Sequence, residues 1–158
     1  MSINPIADGC NSVNAYLVVK DAQAAIDFYQ KAFGATVSCV LPLPGDQGIM
    51  HAEVRIGNST VMLGDENPQW GTKSPETLGG SPVSLHIYVP DVDAAFQTAI
   101  DAGCTSVSPV ADMFWGDRTG KVADPFGYQW GIATHTEDVS DEDMQTRAQE
   151  WFASFSQG

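Results

Sequence analysis

Positive charge is what this chain has least of. Seven Lys+Arg stand against 20 Asp+Glu in 158 residues, a formal net charge of −13. A field of that sign repels phosphate backbones and anionic bilayers, and so few dispersed cations cannot build the basic patch either partner needs. Nucleic acid and membrane surfaces are therefore excluded as partners. Part of the charge is local: Glu137, Asp138, Asp141, Glu142, Asp143 and Glu150 face Arg147 alone. Cysteine is scarce too. Cys10, Cys39 and Cys104 are odd in number and lack a CxxC spacing, which excludes a disulfide framework or zinc knuckle and leaves buried thiols as the expectation. No run of about 18 apolar residues occurs, and Met1 to Cys10 carries neither a basic residue nor an apolar core, so a cytoplasmic protein is expected. What is present is ordinary globular material: 43% apolar residues, 15 Gly and 9 Pro. A chain of this length buries about 70% of the surface its unfolded form exposes, enough for one core without staples.

The chain repeats itself at an offset of about 70 residues. Ala15-Tyr16-Leu17-Val18-Val19-Lys20-Asp21 leads into Ala24-Ala25 and Gly34; Leu85-His86-Ile87-Tyr88-Val89-Pro90-Asp91 leads into Ala94-Ala95 and Gly103. Each half reads as βαβββ. Asp21 and Asp91 sit where helix N-caps belong, and in the first helix Ala24, Ala25, Phe28, Ala32 and Phe33 recur at helical spacing before Gly34 ends it. Strands are expected over 36–43, 50–56 and 59–63, and in the second half over 84–89, 106–110, 119–123 and 129–133, around a helix over 91–102. The turn Ile56-Gly57-Asn58 falls on Phe126-Gly127-Tyr128 at the same offset. This gives module 1 over about 13–64, a linker over 65–82, module 2 over about 83–135 and a helix over about 140–156. The linker is a candidate lid with Trp70 as its anchor. In the last helix Ser140 and Asp143 form a capping-box-like start, and Met144, Ala148, Trp151, Phe152 and Phe155 form an apolar stripe expected to cover its own sheet in preference to a second subunit.

The duplicated unit, with Val-x-Asp, Ala-x-x-Phe-Tyr, Phe-Gly and Asp124-Pro125-Phe126-Gly127, resembles the vicinal oxygen chelate superfamily of glyoxalases, bleomycin resistance proteins and extradiol dioxygenases. The run from Asp112 to His135, with Trp115-Gly116-Asp117-Arg118, resembles its PhnB-like branch. The resemblance implies an α+β fold of two βαβββ modules, paired half-barrel sheets enclosing a cavity, plus a C-terminal helix. It also implies a homodimer, and a place to look for metal: seven residues before each aspartate and four after each glycine. Those seats hold Asn14, Ser84, Val61 and Gly131. None is a usual transition-metal ligand, so neither the usual metal site nor any other cofactor is expected.

Period-two alternation puts Tyr16 on the face of Asn14, His86 on that of Ser84 and Gln129 on that of Gly131. These five polar residues, Asn14, Tyr16, Ser84, His86 and Gln129, are candidate ligand contacts. His86 is either a hydrogen-bonded neutral imidazole or a group titrating near neutrality that acts as a general base. His51 and Glu53 share one face of their strand and are candidate catalytic residues: an oriented acid/base pair, ligands of a displaced metal site with His86, or a solvated face. Trp115 is a candidate stacking surface. Arg118 either fixes its turn through Asp117 or Asp124 or reaches a ligand, and Phe114 and Trp130 are expected in the core. The function expected is a small-molecule-binding protein that sequesters or processes a compact organic ligand between its modules. The alternative is a metal-dependent lyase, isomerase or dioxygenase using residues such as His51 and His86.

Overall fold

A computed structural model describes residues 3–156. Two four-stranded sheets carry the chain. The first comprises β1 (Ala15–Val19), β2 (Thr36–Pro42), β3 (Ile49–Ile56) and β4 (Ser59–Asp65) in the order β1-β4-β3-β2. The second comprises β5 (Ser84–Tyr88), β6 (Thr105–Asp112), β7 (Asp117–Ala123) and β8 (Gln129–His135) in the order β5-β8-β7-β6. Only β1 with β4 and β5 with β8 run parallel, and a parallel neighbour requires a crossover connection. Helices α1 (Ala22–Phe33) and α3 (Val92–Ala102) begin those connections, so each lies on one face of its own sheet.

The helices start and stop where capping chemistry dictates. The Asp21 carboxylate accepts from Ala24 N and that of Asp91 from Ala94 N, each in extended backbone. Gly34, at φ 64°, ends α1 in the left-handed conformation that suits glycine. The face of α1 that is buried, Ala22, Ala25, Ile26, Tyr29 and Ala32, is rotated from the predicted stripe, and Ala24 is exposed.

One core joins the modules. Trp130 of β8, completely buried, packs against Tyr29 and Phe33 of α1 at ring distances of 5.4 and 4.5 Å. Removing an aromatic side chain of that size from water contributes about 3 kcal/mol. Asp124 lies beside it and is bonded by both modules: Tyr29 Oη donates at 2.7 Å, Trp130 Nε1 at 2.9 Å, and the amides of Phe126 and Tyr128 at 2.9 Å each. The Tyr128 hydroxyl then donates to Val18 O at 3.0 Å and accepts from Val18 N at 3.1 Å, satisfying the outer edge of β1 from the other module.

Three expectations are corrected. The segment after β4 is built, with a 3-10 turn at Pro68–Trp70 and a short helix α2 at Pro75–Leu78; Glu66 accepts from Ser74 N and the Thr77 hydroxyl. Its anchors are the buried Ser74 and Pro75, whereas Trp70 is 53% exposed. Second, α4 (Asp141–Phe155) buries no residue; Phe152 and Phe155 are about two-thirds exposed and only Trp151 meets a strand-turn aromatic, Phe114, at 5.7 Å. Its stripe does not cover its own sheet. The predicted start is present, since Ser140 Oγ accepts from Asp143 N and donates to Asp143 Oδ2. Third, of the cysteines Cys104 alone is buried, and burial pushes its thiol up to about 12; Cys39 is exposed on β2. Among the described residues no helix is long and apolar enough to cross a membrane.

Candidate functional site

A cavity of about 1150 Å³ lies between the modules, where the outer edges of β1 and β5 face across the groove above α1 and α3. Its walls include Leu17, Phe33, Val61, Leu85, Ile87 and Trp130, and its polar groups include Asn14, Tyr16, Ser84 and His86. A large apolar hollow with a few polar groups is the usual form of a small-molecule site. Gln129, Trp115, Arg118, His51 and Glu53 do not line it.

Register explains the placements. In module 2, His86 pairs with Gly131 and Gly131 with Lys121, so these share the sheet face turned away from α3. The imidazole of His86 lies over Gly131, where an added Cβ would fall 2.4 Å from Nδ1. Position 131, a customary metal seat by resemblance, is thus the floor under a histidine ring. Tyr88 stands edge-on to that ring at 5.1 Å. Gln129 shares the face but sits at the exposed start of β8 beside Ser84.

Module 1 departs from the predicted parity. Ala15 pairs with Val61 and Tyr16 with Met62, which puts Val61 on the helix side with Leu17 and leaves Met62 beside Tyr16. The cause is turn length: Ile56 pairs with Ser59 across a two-residue turn, whereas Ala123 pairs with Gln129 across five residues. Asn14 is engaged in its own turn, accepting from Asn11 N at 2.9 Å and donating to Asn11 O at 2.6 Å. Tyr16 turns its hydroxyl toward His51, 3.3 Å from Nδ1, and His51 Nε2 lies 3.3 Å from Glu53 Oε1. Burial raises the Tyr16 phenol above its ordinary value.

Arg118 is corrected outright. It projects on the helix side of β7, binds both oxygens of Asp93 at 2.8 Å and reaches Asp112 at 3.2 Å, rather than Asp117, Asp124 or the cavity. The fork holds α3 to the β6–β7 hairpin and keeps the guanidinium firmly charged. Trp115 packs edge-on against Phe114 at 5.0 Å.

A polar cluster absent from the sequence prediction centres on Asp117, which is buried. Tyr88 Oη donates to Asp117 Oδ2 at 2.8 Å, and His135 Nδ1 meets Oδ1 at 2.8 Å while its Nε2 meets Asp138 at 2.9 Å. Burial pushes the Asp117 carboxyl up, but the bonds from His135 and Tyr88 outweigh it and hold it below the usual range. Asp138 and Asp117 together raise the His135 imidazole, and the bond to Asp117 raises the Tyr88 phenol.

A three- or four-donor metal site does not fit these side chains. His51 and Glu53 belong to one sheet and His86 to the other, and among the described residues no three His, Cys, Asp or Glu side chains are grouped so that they could hold a metal ion.

Comparison with known proteins follows this geometry. Residues 3–132 match the model of the family described as Glyoxalase/Bleomycin resistance protein/Dioxygenase superfamily. A Mycobacterium tuberculosis protein described as uncharacterized is 47% identical over 137 residues, covering 85% of this chain and 80% of that one. The X-ray structure of an Arabidopsis thaliana gene product superimposes with a TM-score of 0.64 at 28% identity, over 78% of this chain and 98% of that one. A PhnB protein from Bacillus cereus, titled as a putative 3-demethylubiquinone-9 3-methyltransferase, shares the fold with a TM-score of 0.60 at 16% identity, over 78% and 99% of the two chains.

Proposed function

We infer that this chain, which belongs to the Glyoxalase/Bleomycin resistance protein/Dioxygenase superfamily, binds a compact organic molecule between its modules and sequesters or processes it there. The observation that carries this reading is the cavity of about 1150 Å³, apolar over most of its wall and fitted with Tyr16, Ser84 and His86. Apolar walls supply the affinity and the few polar groups orient the ligand. The net charge of −13 favours a cationic or neutral ligand over an anionic one.

The branch is PhnB-like in this reading, on the strength of the Asp112 to His135 signature. The working unit is a homodimer: Val37, Val40 and Leu41 stand exposed on β2, as do Phe152 and Phe155 on α4, and a second copy would cover such surface. The cytoplasm is the expected compartment.

Mass spectrometry of small molecules released from natively purified protein tests the binding reading. A retained organic molecule is expected, and a Ser84→Trp variant, which fills one cavity wall, should lose it. Wild-type protein that retains nothing and binds no member of a panel of neutral and cationic aromatic probes would sink the idea.

A further inference from the structure

Tyr16 links the cavity to a pair of titratable groups that do not themselves line it. Tyr16 is 49% exposed and contributes to the cavity wall; from its hydroxyl run His51 and then Glu53 in an unbroken hydrogen-bonded row. We propose that Tyr16, His51 and Glu53 form a proton relay that takes a proton from a weakly acidic O–H or N–H of the molecule held in the cavity. This rests on the binding reading above and adds what the site does to its ligand.

The direction of the row follows from donor and acceptor inventories. An ionised Glu53 can only accept, so its contact with His51 Nε2 places the ring proton there. His51 Nδ1 then carries a lone pair, and the Tyr16 hydroxyl 3.3 Å away donates to it. The competing contact of that hydroxyl, Met50 O at 3.5 Å, is at the limit of a hydrogen bond. With its proton committed to His51, the Tyr16 oxygen keeps a lone pair free, which selects a ligand bearing a donor. The absence of a side chain at Gly64 makes the placement possible, because a Cβ there would come within 3.1 Å of the Tyr16 oxygen and 2.6 Å of Met50 O.

The step balances within the row. The ligand's O–H or N–H bond breaks and its proton joins the Tyr16 oxygen. In the same event the Tyr16 proton moves to His51 Nδ1, leaving a ligand anion and an imidazolium held against Glu53. Because burial keeps the phenol protonated, Tyr16 passes the proton through without lingering as a phenolate. The base is remote from the ligand by one side chain, an arrangement in which a third group orients the base as Glu53 does here.

The test uses p-nitrophenol, whose anion is coloured and whose neutral form is not, with wild type, Tyr16→Phe and Glu53→Gln. Binding by wild type and Glu53→Gln is expected, with weaker binding by Tyr16→Phe brought to saturation at higher probe concentration, and the ratio of ionised to neutral bound probe at neutral pH falls about tenfold in each variant. Equal ratios with binding intact overturn the relay and leave the cavity reading standing. Failure of the wild type to bind this probe while other probes bind overturns the ligand class proposed here; failure with every probe overturns the binding reading as well. Independently, nitrogen NMR should find neutral His51 with its proton on Nε2, a preference weakened in Glu53→Gln. A proton on Nδ1 in the wild type refutes the relay whatever the probe does. Circular dichroism of both variants separates these outcomes from misfolding.

Discussion

Asp124→Asn looks conservative and should be severe. The carboxylate receives four donors, two per oxygen: Phe126 N and Tyr128 N on Oδ1, Tyr29 Oη and Trp130 Nε1 on Oδ2. An asparagine keeps one oxygen for the two backbone amides and must turn its amino group toward the other pair. Tyr29 can rotate its hydroxyl and accept; the indole N–H of Trp130, fully buried, cannot. One buried donor is stranded against another, and a charge-assisted bond from Tyr29 becomes a neutral one. Hydrogen bonds to charged groups contribute about 1.5–3 kcal/mol each, and a stranded buried donor costs about 1–3 kcal/mol, so a loss of about 3–5 kcal/mol is expected. Urea denaturation followed by tryptophan fluorescence measures it. Asp124→Ala, which removes the acceptors altogether, should fall in the same range, and Tyr29→Phe should lose less than either. An Asp124→Asn protein destabilised by under about 1 kcal/mol would refute the donor count.

Further outcomes follow from the same contacts. Gly131→Ala must push the His86 ring off its floor, costing about 1–3 kcal/mol and changing retention of the cavity ligand, as denaturation and mass spectrometry would show. Retention unchanged, with His86 unmoved by NMR, would count against the ring placement. Arg118→Ala should cost little stability, since its ion pairs are solvated, and should leave ligand retention intact; lost binding in a stably folded variant would return Arg118 to the site. The folded-state value of His135 is raised, so its contribution is complete below the ordinary imidazole value near 6.5 and is lost as pH rises through the raised one. Wild type should therefore lose stability relative to His135→Gln across that window; parallel pH profiles would refute the Asp117–His135–Asp138 bridge.

Much of this was legible because several signals are local and self-consistent. Asp21 and Asp91 announce helices by cap chemistry within four residues, and the repeat offset doubles the evidence for each element. Trp130 was legible as core because an aromatic residue on a strand has few other places to go. The side of Arg118 was not, since the start of β7 at Asp117 rather than Thr119 is fixed by pairing with β8, a contact invisible in the local pattern. The same two residues hid the Asp117 cluster: with Asp117 read as turn, nothing placed it on the face of Tyr88 and His135. Helix α4 shows the converse limit. Its stripe predicts a helix, and periodicity alone does not say what that stripe meets.

The cavity owes its shape to an inequality between two turns that the repeat makes look alike. In module 2 the five residues from Asp124 to Tyr128 are long enough to bring a phenol back across the molecule, where it closes the edge of β1 at Val18 through both main-chain atoms. Module 1 has only Gly57-Asn58 at that place, and among the described residues none of its side chains is hydrogen-bonded to the main chain of β5. Gly57 and Asn58 line the cavity instead. The edge of β1 is thus bridged at Val18 and that of β5 is not, which makes a lopsided groove out of a nearly twofold frame. The shorter turn also shifts strand parity by one residue, replacing Val61 with Met62 beside Tyr16. A single difference in loop length therefore sets both the bridge from Tyr128 to Val18 and the strand parity of module 1.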